Sequence, residues 1–175
     1  MHTPVLLIAL ATWSLAATGA AQDPVTPVSE ALRSAAGRAG SNFIAAAEEM
    51  PADRYGFRPT PAQMSFGDVI GHMGAGNDAL CSSIGGVAPP KRSPVAAGAP
   101  KEKLVARLRE TFQFCESALA KVNDSRLGEK VPYFGDREVS RAQVMVAAAE
   151  EWAGHYSQLA VYLRLNGLLP PTANR

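Results

Sequence analysis

Glu151 and His155 stand four residues apart in SRAQVMVAAAEEWAGHYSQLAVYLRLNG, residues 140–167. On a helix that spacing puts both side chains on one face, a turn apart, within reach of one ion or of each other. At about 100° per residue, Val144, Ala148, Glu151, His155, Leu159 and Tyr162 share roughly a third of the circumference, the width of a core-facing stripe. The pattern therefore predicts that Glu151 and His155 point inward. An ionised carboxylate on an apolar stripe must be paired, hydrogen-bonded or bound to a metal. Three arrangements answer that need: a shared ion, a buried Glu–His hydrogen bond, or a glutamate half in water at the rim of the stripe. His72 lies at the edge of a different apolar stripe, where it is either a satisfied structural residue or a ligand.

The elements that must position these residues have readable ends. Ser140 with Gln143 forms a capping box at the start of a helix over 140–167, and Gly167 followed by Pro170 and Pro171 stops it. A second helix over 65–84 opens on Ser65 and Asp68 and closes before Gly85 and Gly86. Its stripe runs through Phe66, Val69, Ile70, Met73, Leu80, Cys81 and Ile84, with Asn77 as the one polar intruder. A helix over 28–50 ends at Pro51, and its face of Leu32, Ala36, Ala39 and Phe43 reads as plain bundle packing. Pro100 opens a further helix to about residue 122, with Leu104, Leu108, Cys115, Leu119 and Val122 on its stripe. The Pro/Gly-rich crossover 85–99 is too long for a tight antiparallel connection, so helices two and three run parallel. Residues 129–140 fit a small hairpin turning at Gly135 and Asp136. The segment PADRYGFRPTP, residues 51–61, packs aromatics across the end of a bundle, and its Arg54 and Arg58 suit an anionic group or a solvated, capping role. The fold class is all-α, a four-helix bundle.

Residues 1–21 carry an apolar run from Val5 to Leu15 followed by small residues, too short to span a bilayer and suited to cleavage near Ala20 or Ala21. This reads as a signal peptide, leaving residues 22–175 as one domain, exported to the periplasm or secreted, with no stable membrane span after removal. Of the 3 histidines, His2 goes with the leader. The 17 Lys and Arg nearly balance the 16 Asp and Glu, and the charge excess expected of a nucleic-acid-binding surface is absent. Lys91, Arg92, Lys101 and Lys103 flank the crossover and read as a solvated surface. The 2 cysteines, Cys81 and Cys115, lie late in two parallel helices on core stripes, so they either pair in a disulfide or remain buried free thiols.

Three stretches, MPADRYGFRPTPAQMSFGDVIGHMGAGN, FCESALA and GHYSQLAVYLRLNGLLPP, resemble the DinB-like superfamily of metal-binding four-helix bundles, particularly its exported bacterial members. The resemblance implies an up-down-down-up bundle and a divalent metal held by one histidine on helix two and an H-x-x-x-H pair on helix four. His72 falls at the first position, His155 at the last, and Glu151 where the family has a histidine. Two outcomes follow: Glu151 replaces the imidazole and His72, Glu151 and His155 hold zinc, nickel, iron or manganese, or this branch keeps a metal-free Glu–His network. The resemblance further implies a metal-dependent hydrolase or thiol transferase acting on a small molecule through a metal-activated nucleophile. The scarcity of cytosolic thiols outside the inner membrane brings the hydrolytic or purely metal-binding role forward. It places substrate entry past residues 55–61, with Tyr156, Arg164 and Arg58 as candidate substrate-binding residues, and makes a homodimer a candidate assembly. The alternative is a non-catalytic binding or structural bundle of the cell envelope.

Overall fold

The computed structural model describes residues 26–96 and 98–173. The leader read at 1–21 lies outside them. Four helices, α1 (Pro27–Glu49), α2 (Phe66–Gly85), α3 (Lys101–Leu119) and α4 (Arg141–Leu165), carry the fold, and one hairpin of β1 (Lys130–Tyr133) and β2 (Arg137–Ser140) precedes α4. Helix contacts run from α1 to α3, α3 to α2, α2 to α4 and α4 back to α1. Residue contacts fix the directions. Lys101 at the start of α3 meets the end of α1, while Arg141 at the start of α4 meets the end of α2. Gly85 and Ala118 lie side by side at the ends of α2 and α3. The bundle is therefore up-down-down-up, with α2 and α3 parallel.

Local chemistry explains most boundaries. Ser65 accepts from the Asp68 amide and Ser140 from the Gln143 amide, and each is answered by the third residue's side chain in a complete capping box. Gly86 ends α2 in the left-handed region with φ 66°, where a side chain would be strained. The hairpin pairs Val131 with Val139 and Tyr133 with Arg137, and its turn uses positive φ at Gly135 and Asp136. The start of α1 has no cap of its own. Asp124, far along the chain, accepts from the amides of Val28 and Ser29 and from the Ser29 hydroxyl.

The core is continuous between the four helices, from Phe43 and Met50 through Phe66, Ile70, Leu108 and Leu119 to Leu159 and Leu163. A Cβ on Gly85 would stand 2.7 Å from the Ala118 carbonyl oxygen, so α2 and α3 approach closely there. One turn back, Cys81 and Cys115 are joined by a disulfide with Cα atoms 5.1 Å apart.

Of the basic cluster at the crossover, Lys91 and Lys103 are exposed as expected, while Lys101 and Arg92 depart from a solvated role. Lys101 donates to the Glu48 and Met50 carbonyls and closes the end of α1, a cation placed against the negative pole of a helix. Arg92 is largely covered, bonded to Asp78 at 2.9 Å and to Glu110 at 2.8 Å. Burial pushes the Asp78 carboxyl up, and the Arg92 charge opposes that shift. Arg141, which sequence reasoning passed over, is 2 % exposed. Its guanidinium donates to the Ser83, Ile84 and Arg126 carbonyls and to Glu129, tying the hairpin to the end of α2.

Candidate metal centre

The buried face of α4 is centred on Met145, Ala148, Trp152, Leu159 and Leu163. At about 100° per residue, Glu151 falls roughly a quarter-turn off that centre and His155 a little over half as far. This corrects the expectation that Glu151 points inward: its side chain is 45 % exposed, against 22 % for His155 and 49 % for His72. The inward place at this level belongs to Trp152, whose indole nitrogen donates to the Asn77 side-chain oxygen at 2.8 Å. Asn77 in turn donates to Thr111, and Thr111 to the Leu108 carbonyl, so the polar intruder of α2 is satisfied across three helices. A carboxylate at the rim keeps part of its hydration and avoids the cost of full burial.

Antiparallel packing of α2 on α4 carries His72 across to the Glu151–His155 turn. Glu151 Oε2 lies 3.1 Å from His155 Nε2 and 3.7 Å from His72 Nε2. The two imidazoles meet edge to face with centroids 4.8 Å apart. One ligand atom from each of the three residues falls within 4.8 Å of the others, the one such His/Cys/Asp/Glu cluster among the described residues. Two ligands at zinc-like distances in a tetrahedral arrangement are separated by about 3.3 Å. The Glu151–His155 edge is near that value, and the Glu151–His72 edge is slightly longer. His72, half in solvent, has the freedom to close the third edge by a small rotation. Two imidazoles and a carboxylate on a half-open rim form a donor set that fits a divalent ion and leaves room for further ligands.

Behind His155 runs a chain of polar contacts. Nδ1 lies 3.1 Å from Gln158 Oε1, Gln158 Nε2 donates to the Tyr162 hydroxyl at 2.9 Å, and Tyr162 donates to the Met64 carbonyl at 3.0 Å. Sequence reasoning counted Tyr162 as core and left Gln158 out. The available signal was their spacing, three and seven residues after His155 on the same face.

The other candidates lie apart. Arg58 pairs with Asp68 at 3.5 Å, one turn before His72, and does not reach the three ligands. With the Ser65 hydroxyl bonded to it and Arg58 beside it, the Asp68 carboxyl is held below the usual carboxylate range. The Tyr156 ring packs on Phe43 toward α1, and its hydroxyl donates to Thr172 and accepts from the Thr172 amide. Arg164, nine residues beyond His155, projects from the opposite side of α4 and donates to the Ala160 carbonyl of its own helix. Tyr156 and Arg164 are thus not brought to the site. A cavity of about 830 Å³ lies between the C-terminal half of α2 and the hairpin and comes no nearer than Ala75, one turn along α2 from His72. The three side chains therefore face an open rim. Among the described residues no helix is long and apolar enough to cross a membrane.

Solved structures share this architecture. A DinB-like protein from Bacillus cereus superposes with a TM-score of 0.69 at 15 % identity, covering 82 % of this chain and 96 % of that one. A DinB-like protein from Bacillus subtilis gives 0.63 at 18 % identity over 78 % and 92 %. A conserved protein from Enterococcus faecalis gives 0.63 at 17 % over 81 % and 98 %. At such identities the likeness is one of fold. No curated protein matches the sequence. Residues 35–159, a span that takes in His72, Glu151, His155 and the disulfide, match the DinB superfamily, and the chain belongs to that superfamily.

Proposed function

We propose that His72, Glu151 and His155 hold one divalent cation and that the protein is a metal-dependent hydrolase or transferase of the cell envelope. The observation that carries this reading is the convergence of three ligand atoms from two helices within 4.8 Å at a half-open rim. A bound zinc, nickel, iron or manganese ion supplies Lewis acidity that activates a water or thiol nucleophile at neutral pH. Glu151 contributes the one negative charge among the three ligands and offsets the cation. The partial exposure of Glu151 and His72 leaves a side open for a small substrate to approach. A buried disulfide supports export to an oxidising compartment. Low-molecular-weight thiols are scarce there, which favours hydrolysis over thiol transfer.

A metal-free reading draws on the same 3.1 Å separation, which is also a hydrogen-bond distance between His155 and Glu151. Elemental analysis of the purified protein separates the two. The expected result is about one equivalent of divalent metal in the wild type, lost in a His72→Ala, Glu151→Ala double variant, together with a metal-dependent rise in melting temperature seen only in the wild type. No metal in either protein, with equal melting temperatures, leaves a metal-free bundle.

A further inference from the structure

We infer that Gln158 and Tyr162 are positioning residues that lock His155 in the tautomer protonated on Nδ1, reserving Nε2 for a cation. The inference rests on the metal reading for its purpose, while its geometry stands by itself.

The direction of every bond in the chain follows from its far end. The Met64 carbonyl can only accept, so the single hydroxyl proton of Tyr162 is committed to it across 3.0 Å. The Tyr162 oxygen is then left as an acceptor for Gln158, 2.9 Å away, and the group facing it must be the amide nitrogen. The amide oxygen consequently faces His155 Nδ1 at 3.1 Å, and only a protonated Nδ1 satisfies it. The amide orientation is fixed at Tyr162, because reversing Gln158 would set two acceptors against each other there.

The lock has a consequence at the other nitrogen. With its proton on Nδ1, a neutral His155 presents a lone pair at Nε2, and Glu151 Oε2 presents another at 3.1 Å. A neutral His155–Glu151 hydrogen bond is thereby denied. The pair is reconciled only by positive charge between or on its members, and a divalent ion also drawing on His72 meets that condition. Metal-binding histidines generally donate their second ring nitrogen to a fixed acceptor that sets orientation and basicity, and removing that partner weakens metal affinity about 10- to 100-fold.

Long-range ¹H–¹⁵N correlation spectra of metal-free protein, recorded well above the ordinary histidine pKa, report the tautomer directly, with His155 assigned by its absence in His155→Gln. The wild type is expected to carry the proton on Nδ1, although a free imidazole in water prefers the other nitrogen. Gln158→Leu is expected to move the proton to Nε2 and to weaken zinc binding about 10- to 100-fold. Gln158→Glu, whose carboxylate accepts both from Nδ1 and, in place of the Met64 carbonyl, from the Tyr162 hydroxyl, is expected to restore both. A wild type protonated on Nε2, or a Gln158→Leu protein whose tautomer is unchanged, overturns the inference, as does a tautomer shift with unaltered zinc affinity. If the wild type shows the Nδ1 tautomer yet takes up no zinc, the metal reading fails and the lock itself stands.

Discussion

An Arg141→Leu protein is expected to lose about 3 kcal/mol of folding stability, read from urea denaturation, although the substitution trades a charge for an apolar group in a buried place. Arg141 closes the end of α2, where the Ile84 carbonyl has no partner within the helix and the Ser83 carbonyl has only the Gly86 amide at 3.3 Å. Leucine leaves the Ile84 carbonyl dry or forces water into the junction, at about 1–3 kcal/mol, and it also removes the charged bond to Glu129, while the Ser83 and Arg126 carbonyls keep the Gly86 and Glu129 amides. Arg141→Lys is expected to recover only part of the loss, since one ammonium cannot address four acceptors with the reach of a guanidinium fork. A loss below about 1 kcal/mol for Arg141→Leu would sink this account.

The same junction gives a pH dependence. Hydrogen bonds from Arg126 and then Arg141 hold the Glu129 carboxyl at about 2, below its ordinary 4.5. A carboxylate whose folded-state pKa is depressed contributes in full above its unfolded value and loses that contribution as pH falls through the folded one. Stability from Glu129 should therefore be flat above pH 4.5 and fall between 4.5 and 2. In Arg141→Leu this acid-side slope should shrink without vanishing, because Arg126 keeps its own bonds to Glu129 at 3.0 Å. An unchanged slope would mean that Arg141 does not act on Glu129.

The second large effect is expected of the disulfide. Cys81 and Cys115 are 34 residues apart, and closing a loop of that length in the unfolded chain corresponds to about 4 kcal/mol. A Cys81→Ala, Cys115→Ala double variant should be destabilised by at least that much, since two buried sulfur atoms are also removed from the core. Matched urea midpoints for the variant and the oxidised wild type would refute this.

Much of this architecture was legible because it is written in short-range chemistry. Ser65 with Asp68, Ser140 with Gln143, and the Gly135–Asp136 turn each specify a backbone event within four residues. The length of the crossover sufficed to make α2 and α3 parallel. What was misread depended on neighbours far away in the chain. A stripe drawn at helical period locates a face only to within about a quarter-turn, and on α4 that margin separates a buried glutamate from one at the rim. Trp152 fixes the true centre, and it does so through Asn77 on another helix. Tyr156 turns toward Phe43 and Thr172 for the same reason, because the surface that receives it comes from α1 and the chain end. Arg141, directly after a helix cap, carries no local signal that would single it out. Only the arrival of the α2 terminus explains why it is buried.

The disulfide also governs what happens if the backbone is cut. The crossover from Gly86 to Pro100 joins α2 to α3, Lys91 within it is exposed, and the whole crossover lies inside the loop closed by Cys81 and Cys115. A protease cutting after Lys91 would nick this chain without parting it. His72 would then lie on one fragment and Glu151 and His155 on the other, held in register by a single covalent bond between sulfur atoms. Where proteases are abundant, the bundle and its His72–Glu151–His155 cluster can outlast the continuity of their own polypeptide.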